Sequence, residues 1–273
     1  MKIVKSIEEL ISYRKSVTSK VGFVPTMGAL HNGHLSLIKQ ARIQNDIVIL
    51  SIFVNPTQFL PNEDFNSYPR KEEADIKIAT LAGVDVVFAP DVNEMYSLQE
   101  PKVIAPRDIA YILEGKKRPG HFDGVLSVLM KLFHIVKPHN AYFGKKDAQQ
   151  LFLVQNMVDT YFLPINIVPC DIIRDADGLA LSSRNIYLDS KQRAKALSLS
   201  VALKNGSQAI MKGEREVVKI EKIMREALKE VEVDYVTVLS RDFKFVEHIS
   251  IKETLLLIAA YVDNVRLIDN LWI

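Results

Sequence analysis

The chain has 273 residues, 48% of them hydrophobic and 25% charged, and its formal net charge is +2. This composition is typical of a folded globular protein, and the small charge gives no reason to expect a nucleic-acid or anionic-membrane partner. The longest apolar run, residues 255–262, is far shorter than the roughly 20 residues that span a bilayer.

The start of the chain has no signal-peptide core, and Ser6 and Glu9 have the spacing of a capping box that opens a short helix. The one cysteine, Cys170, excludes an internal disulfide and suits a reducing compartment. It lies in the apolar run "INIVPCDII", which predicts a small buried strand residue rather than a nucleophile. We therefore expect a cytoplasmic protein.

From residue 21 onward, short apolar runs alternate with stretches of helical periodicity. The runs are "VGFVP", "DIVILSIFV", "VDVVFAP", "NAYFG" and "INIVPCDII", and the spacing of apolar residues predicts helices over 72–82 and 147–161. Continuous apolar strands separated by helices predict a parallel sheet that is covered on both faces. Residues 1–173 are therefore predicted to form a Rossmann-like, doubly wound α/β domain, with a ligand crevice at the carboxyl ends of its strands.

After Asp171 the pattern changes. The segment "RDADGLALSSRN" is rich in turn residues, and helical periodicity follows over 189–211 and 216–231. The runs "VDYVTVLS" and "ETLLLIAAYVDNVRLIDNLWI" then predict a small antiparallel sheet. We place a domain boundary near Ile173 and predict a smaller C-terminal α+β domain over 174–273, which would act as a lid that closes over the ligand crevice and excludes water.

The turn in "VPTMGALHNGH" combines two glycines, Gly28 and Gly33, with two histidines, His31 and His34. A helix starting near Gly33 would direct free backbone N–H groups and its positive dipole end at the crevice. Glycine lets the backbone approach an anion, and imidazoles can donate hydrogen bonds to phosphate oxygens. The segment thus predicts a phosphate site. An ordinary turn with surface histidines and a zinc site remain as alternatives, although no matching cysteines or His-x-x-x-His pair accompany the histidines.

The motif "HNGH" resembles the HxGH signature of the nucleotidylyltransferase superfamily, and the longer "PTMGALHNGH" is similar to the pantothenate synthetase family. The blocks "FVNPTQF", "YPR", "RPGHFDGV", "FGKKDAQQL" and "GLALSSRN" follow in the order of that family, so that the resemblance covers residues 24–185. Within the last block, "LALSSRN" is similar to a reduced KMSKS signature, with Leu181 where many relatives have methionine.

The resemblance implies ATP-dependent condensation of (R)-pantoate with β-alanine through an enzyme-bound pantoyl adenylate, which releases AMP and pyrophosphate and needs no covalent nucleophile. ATP, as substrate, would be accompanied by Mg²⁺. The implied catalytic residues are His34, His31, Lys146, Arg184, Ser182 and Ser183. The implied nucleotide contacts are Met27, Gly28, Ala29, Leu30, His31, Asn32, Gly33, His34, Gly144, Lys145, Lys146, Asp147, Ile173, Leu181, Ser182, Ser183 and Arg184. Whether His34 donates a proton or only stabilises charge is left open.

The residue types suit these roles. Lys146 would neutralise charge in a displacement that is almost wholly electrostatic, and Arg184 would supply a cation to the leaving pyrophosphate. Lys145 alone would be interpreted as one half of a solvated charge pair. Seven further residues are implied to contact or surround the acid substrate: Gln58, Gln150, Asn55, Pro25, Thr26, Arg118 and His121. No protein ligand of the metal is predicted, and Asp75 is considered only as a water-mediated partner of Mg²⁺.

Two other functions compete with the ligase. A nucleotidylyltransferase would share the HxGH signature but should offer Arg or Lys to a phosphorylated acceptor, where this chain has Gln58 and Gln150. A nucleotide sensor without enzymatic activity would not need both phosphate signatures. The predicted partners are the small molecules pantoate, β-alanine and ATP, with no nucleic acid and no membrane. The family is dimeric, and the run "VLSVLMKLFHIV" at 125–136 is apolar nearly all round, which predicts a buried or interface helix.

Overall fold

The structure is a computed structural model that describes residues 1–61, 63 and 65–273. The chain divides into two compact units. The first comprises residues 1–145 and 149–171, and the second comprises residues 146–148 and 172–273. The lid role assigned to residues 174–273 stays a prediction. None of the described helices is both long enough and apolar enough to cross a membrane.

Among the described residues of the first unit, six strands form one parallel sheet. They are β1 (Lys2–Val4), β2 (Val21–Thr26), β3 (Ile47–Ile52), β4 (Val86–Phe88), β5 (Asn140–Gly144) and β6 (Asn166–Cys170). Their order across the sheet is β1-β4-β3-β2-β5-β6. The predicted parallel α/β fold is therefore confirmed, while the edge strand β1, at three residues, is too short to give a sequence signal.

The helices of the chain follow in order: α1 (Ile7–Ser16), α2 (Asn32–Gln44), α3 (Glu72–Leu81), α4 (Val92–Met95), α5 (Arg107–Ala110), α6 (Leu113–Lys117), α7 (His121–Val136), α8 (Ala148–Thr160), α9 (Ser190–Met211) and α10 (Val217–Glu226). The predicted helices over 72–82, 147–161 and 189–211 correspond to α3, α8 and α9. The predicted helix over 216–231 ends earlier, at Glu226, because the chain turns there and buries Leu228 in the core of the second unit. Ser6 caps α1 as predicted, but the Glu9 carboxylate pairs with Lys2 instead of closing a capping box.

Both faces of the parallel sheet are covered, because successive strand residues point to opposite sides. Val24 on β2 lies in a buried cluster with residues of α2 and α3. Its neighbour Phe23 instead meets Phe133 of α7 edge-on, with ring centroids 6.4 Å apart, and Phe133 contacts Phe143 of β5 in the same way. Most of α7 is buried within the chain itself, which accounts for the apolar character of the run at 125–136.

In the described part of the second unit, α9 and α10 pack against an antiparallel sheet in the order β7-β8-β9. Its strands are β7 (Glu232–Ser240), β8 (Thr254–Val262) and β9 (Val265–Trp272), which correspond to the two runs predicted as strands. Asp189 caps α9, and its carboxylate accepts from the N–H groups of Lys191 and Gln192. The predicted small α+β fold is confirmed.

Candidate active site

The order of strands reverses between β2 and β5. The chain adds β3 and β4 on one side of β2, and later places β5 and β6 on the other side. In open parallel sheets, ligands bind beyond the carboxyl ends of the strands at such a point. Thr26 and Gly144 end the two strands there. A Cβ added to Gly144 would meet no atom within 4 Å, so a ligand has close access to this stretch of backbone.

The loop after β2 is held by Asp75, from the first turn of α3. Gly28 and Ala29 have positive φ values of 86° and 50°. The N–H of Ala29 donates to Asp75 Oδ2 at 2.8 Å, and the N–H of Leu30 donates to Asp75 Oδ1 at 2.7 Å. Only glycine fits at position 28, since a Cβ there would lie 2.9 Å from Asp75 Oδ2. Thr26 closes the loop, because its hydroxyl accepts from the Gly28 N–H at 3.2 Å.

These bonds bear on the nucleotide contacts assigned from sequence. A bond from the Ala29 or Leu30 amide to ATP would require that amide to give up or share its hydrogen bond to Asp75, whereas each Asp75 oxygen keeps a lone pair after accepting one bond. Asp75 is only 2% exposed. Its contacts give it a structural task, which is to fix the backbone that leads into α2.

The two histidines form a capping box at the start of α2. His31 is the N-cap, its Nδ1 accepts from the Gly33 N–H at 3.1 Å, and His34 Nδ1 accepts from the His31 N–H at 3.3 Å. The His31 ring therefore caps the Gly33 N–H, which is not one of the free amides that the start of α2 would direct at the crevice. Since each Nδ1 accepts, a neutral ring carries its proton on Nε2. Both rings, 4.1 Å apart between centroids, thus have an Nε2–H donor. Asn32, between them, is exposed at the first helical position.

Gln58 lies beside this loop. It ends a short 3₁₀ helix, Pro56–Gln58, for which Asn55 is the N-cap. Its Oε1 accepts from Asn55 Nδ2 at 3.1 Å, and its Nε2 lies 2.9 Å from the thioether sulfur of Met27. The structure therefore brings together residues of two motifs, with Asn55 and Gln58 from one and Met27 from the other. Pro25, on β2, precedes them and is partly buried.

Arg118 and His121 support the backbone at Gln58. Arg118 forms a two-pronged ion pair with Glu63, at 2.5 and 2.7 Å. His121 Nδ1 lies 2.7 Å from the Gln58 carbonyl oxygen, so Nδ1 carries the proton and Nε2 accepts from Arg118 Nη1 at 3.1 Å. Burial, with a smaller effect of the Arg118 charge, lowers the pKa of His121 to about 4, and the ring is neutral at pH 7. Burial alone would raise the pKa of Glu63, but its hydrogen bonds and charge interaction with Arg118 lower it.

The two adjacent lysines after β5 have different environments. Lys145 Nζ pairs with Asp171 Oδ1 at 2.6 Å. Residues 146–148 belong to the second unit, where the Lys146 carbonyl accepts from Asn270 Nδ2 at 2.7 Å. Within the residues that the structure describes, no carboxylate lies within 4.0 Å of the Lys146 ammonium. Its charge is therefore available to a ligand. Asp147 is exposed.

The adjacent glutamines of α8 have different environments. Gln149 is 4% exposed; its Oε1 accepts from the Glu114 N–H at 3.1 Å, and its Nε2 donates to the carbonyls of Ile109 and Ile112 at 2.6 and 3.0 Å. Gln150 is partly buried. Gln149 thus holds the segment between α5 and α6, which leaves Gln150 as the member of the pair suited to a ligand.

In the second unit, Ile173 and the LSSR segment lie side by side. The Leu181 N–H donates to the Ile173 carbonyl at 3.0 Å. Ser182 then caps a 3₁₀ helix, Ser183–Tyr187, and its Oγ accepts from the Arg184 N–H at 3.3 Å. The Ser182 hydroxyl proton is not used by this cap. All of the predicted residues here are partly buried.

Two arginines hold the turn that precedes this segment. Arg174 forms a two-pronged ion pair with Asp269 of β9, at 2.6 and 2.9 Å. Arg193 of α9 binds Asp175 at 2.6 Å and Asp177 at 2.8 Å. These pairs fix residues 174–177, the first half of the turn, to β9 and α9.

Several supporting residues have no signal in the sequence. Tyr96 follows the four-residue helix α4, and its hydroxyl donates to Asn55 Oδ1 at 2.6 Å. Glu63, Gln149 and Asp269 likewise act only through contacts distant in sequence. An arginine such as Arg118, inside a motif assigned to an acid substrate, could have prompted a search for a nearby carboxylate. Across residues 1–61, 63 and 65–273, no three His, Cys, Asp or Glu side chains are grouped to hold a metal ion.

Comparisons with known proteins agree over the whole chain. A family model described as pantoate-beta-alanine ligase matches residues 2–272. The pantothenate synthetase of Aliarcobacter butzleri is 56% identical over 273 residues, which are 100% of both chains. A crystal structure of pantothenate synthetase from Thermus thermophilus has a TM-score of 0.94 and 40% identity, and covers 100% of this chain and 99% of that one. A pantoate-beta-alanine ligase from Francisella tularensis, crystallised with beta-gamma ATP and beta-alanine, has a TM-score of 0.81 and 38% identity, with 100% and 97% coverage.

Proposed function

The chain belongs to the pantoate–β-alanine ligase family, and on that premise we propose that it condenses pantoate with β-alanine, using ATP, to give pantothenate, AMP and pyrophosphate. The observation that carries this function is the family match over residues 2–272. The groups at the Gln58 side chain add support, because they are amides and hydroxyls suited to a small hydroxy acid. The nearby Arg118 is paired with Glu63 and does not form part of a cation cluster for a phosphorylated acceptor.

In the first step, a carboxylate oxygen of pantoate attacks the α-phosphorus of ATP and the bond to the β-phosphate breaks. Pyrophosphate leaves, and pantoyl adenylate remains. His31 and His34 would donate from Nε2 to phosphate oxygens, since the capping box fixes that tautomer. Lys146, Ser182, Ser183 and Arg184 are proposed to stabilise the developing and leaving charge. Preorganised donors of this kind are each worth about 10²–10³ in rate.

In the second step, the free amine of β-alanine attacks the acyl carbon of the adenylate. The carbon–oxygen bond to the phosphate breaks, AMP leaves and the new ammonium loses a proton to give the amide. No protein nucleophile takes part. The single thiol agrees with this, because burial, with a smaller effect of Asp171, raises the pKa of Cys170 to about 11.

Gln58 and Gln150 are proposed to bind pantoate directly. Asn55, Arg118 and His121 would then act mainly as supports of Gln58, because their polar atoms are engaged with that residue, with Glu63 and with the start of α7. We propose that Mg²⁺ accompanies ATP. In the described chain no group of carboxylates is built for it, so the ion would rely on the nucleotide phosphates and its own waters.

The homodimer and the cytoplasmic location are also proposals. The apolar face of α7 is buried in its own chain and therefore does not argue for an interface. Light scattering coupled to size-exclusion chromatography would test the dimer, and a single species with the mass of one chain would contradict it.

Isotope exchange tests the reaction. The protein should exchange labelled pyrophosphate into ATP when given pantoate and Mg²⁺ without β-alanine, and should then release AMP and pantothenate in equal amounts when β-alanine is added. No exchange with pantoate, together with exchange for a phosphorylated acceptor, would favour a nucleotidylyltransferase. His34→Ala and Lys146→Ala should each lower exchange by about 10²–10³. Variants of the exposed residues His134→Ala and Lys77→Ala are the controls.

A further inference from the structure

The side-chain amide of Asn55 can adopt only one orientation. Its Oδ1 accepts from the Thr57 backbone N–H at 3.3 Å, and its Nδ2 donates to the Gly124 carbonyl at 3.1 Å. A backbone N–H can only donate and a carbonyl can only accept, so exchanging the two amide atoms would break both bonds. Asn55 is 1% exposed, and water cannot replace these partners. The chemical polarity of this amide is therefore set by the backbone.

That polarity is passed on to Gln58. Asn55 Nδ2 donates to Gln58 Oε1 at 3.1 Å, so the oxygen of the Gln58 amide faces Asn55. The Gln58 nitrogen is then on the other side, 2.9 Å from Met27 Sδ. A thioether is a weak acceptor. An incoming oxygen would be a better partner for this N–H, so the Met27 contact is readily exchanged for a substrate.

Tyr96 contacts the oxygen of the Asn55 side-chain amide. Its hydroxyl donates to Asn55 Oδ1 at 2.6 Å, which is shorter than the bonds to that oxygen from the Thr57 hydroxyl at 3.0 Å and from the Thr57 N–H. The Tyr96 ring is fixed by Lys131, whose ammonium lies 4.4 Å from the ring centroid. Lys131 is itself held by Glu100 at 2.6 Å. A hydroxyl held in this way reinforces the orientation of Asn55.

We propose that Tyr96 is a positioning residue which, through Asn55, keeps the N–H groups of Gln58 directed at the substrate, so that this position selects an oxygen that accepts a hydrogen bond, such as a carboxylate or hydroxyl oxygen. The inference rests on the proposed contact between Gln58 and pantoate. It adds that Gln58 is a donor in this contact, and it adds a residue outside every motif of the family resemblance.

The kinetics of two variants test whether Tyr96 and Asn55 orient the Gln58 amide. Tyr96→Phe removes the hydroxyl that donates to Asn55 and lies 3.1 Å from the Thr57 hydroxyl, and it should raise the KM for pantoate about 5- to 10-fold, while the KM for ATP stays within two-fold. Gln58→Glu keeps an acceptor and removes the donor, and it should lower kcat/KM for pantoate about 100-fold or more. Tyr161→Phe, at an exposed tyrosine, is the control. Equal KM values for pantoate in Tyr96→Phe and the parent, or normal activity of Gln58→Glu, would overturn the inference. A fall in thermal stability alone would mean that Tyr96 is only structural, and it would also overturn it.

A measurement on the unchanged protein covers the case in which a variant does not fold. With ¹⁵N-labelled glutamine, the side-chain NH₂ resonances of Gln58 should shift when pantoate is added, whereas those of Gln149, which is held by backbone groups, should not. An unshifted Gln58 signal at saturating pantoate would refute the donor role. Failure of the proposed function and failure of this inference are distinguishable. A parent protein that makes no pantothenate refutes the proposed function, while an active parent whose Gln58 resonances do not shift with pantoate refutes only this inference.

Discussion

Gly124 offers a way to displace Gln58 without touching it. The glycine lies in the first turns of α7, against the backbone of the 3₁₀ helix that carries Gln58. A Cβ at this position would lie 2.2 Å from the Thr57 carbonyl oxygen and 2.7 Å from the Gln58 nitrogen. Contacts between carbon and oxygen are ordinarily about 3.3–3.6 Å, so Gly124→Ala should force the two segments apart by about 1 Å.

The expected effect on activity is larger than the effect on stability. Alanine is the better helix former by about 1 kcal/mol, whereas inserting a methyl group against backbone costs about 1–3 kcal/mol. The net loss of folding free energy is therefore about 0–2 kcal/mol. A displacement of about 1 Å at a substrate-positioning residue can lower catalysis about 100-fold. We thus expect Gly124→Ala to fold and to lose about 100-fold in kcat/KM for pantoate, with little change in the KM for ATP.

Steady-state kinetics and urea unfolding would be measured together. Gly206→Ala is a matched control, because its Cβ would lie 2.9 Å from Met224 Cγ on α10, in the core of the second unit. That variant should lose a comparable amount of stability and keep activity within about three-fold of the parent. If Gly124→Ala binds and converts pantoate normally, either the 3₁₀ helix does not move or Gln58 does not contact pantoate, and the reasoning fails.

Three further outcomes are expected. Asp75→Asn replaces one charged acceptor of the loop amides with a donor and should lower the free energy of unfolding by about 2–3 kcal/mol in urea titrations; a change below about 0.5 kcal/mol would contradict the anchoring role. The pKa of His121 is lowered to about 4, so the unfolded chain binds a proton between pH 6.5 and 4 that the folded chain does not, and stability should fall by up to about 3 kcal/mol as the pH drops through that window. His121→Asn should flatten this dependence and His134→Asn should not. The Cys170 thiol should react with a disulfide reagent at pH 8 only after unfolding, and fast labelling of the native protein would be inconsistent with its burial.

The sequence was sufficient for the order and type of the main elements. The apolar strands of the parallel sheet are buried on both faces, and therefore they stand out from the amphipathic helices between them. Motif order located the loops at the carboxyl ends of β2 and β5. The short elements, β1 and α4–α6, were not predicted because three to five residues are too few to show a period.

The details of the site depend on contacts that periodicity does not encode. His31 caps the Gly33 N–H, because an imidazole acceptor competes for the same N–H as a phosphate would. Asp75 and Tyr96 reach their loops from residues far away in the chain, with separations of 45 and 41 positions. A single sequence carries no signal for such pairs, since each partner taken alone is a residue type that is common on protein surfaces.

Two long-range contacts of the second unit can form only late in the synthesis of the chain. The turn at Arg174 is tied to Asp269, and the Lys146 carbonyl to Asn270, across separations of 95 and 124 positions. Both partners are on β9, so ribosomes must synthesise that strand before either anchor can form. The parallel sheet can assemble earlier, because domains generally fold as units during synthesis. Closing such long loops is also the slow part of folding. The nascent chain should therefore acquire its parallel sheet first, and the segments at Lys146 and Arg174 should reach their final positions only when β9 has left the ribosome.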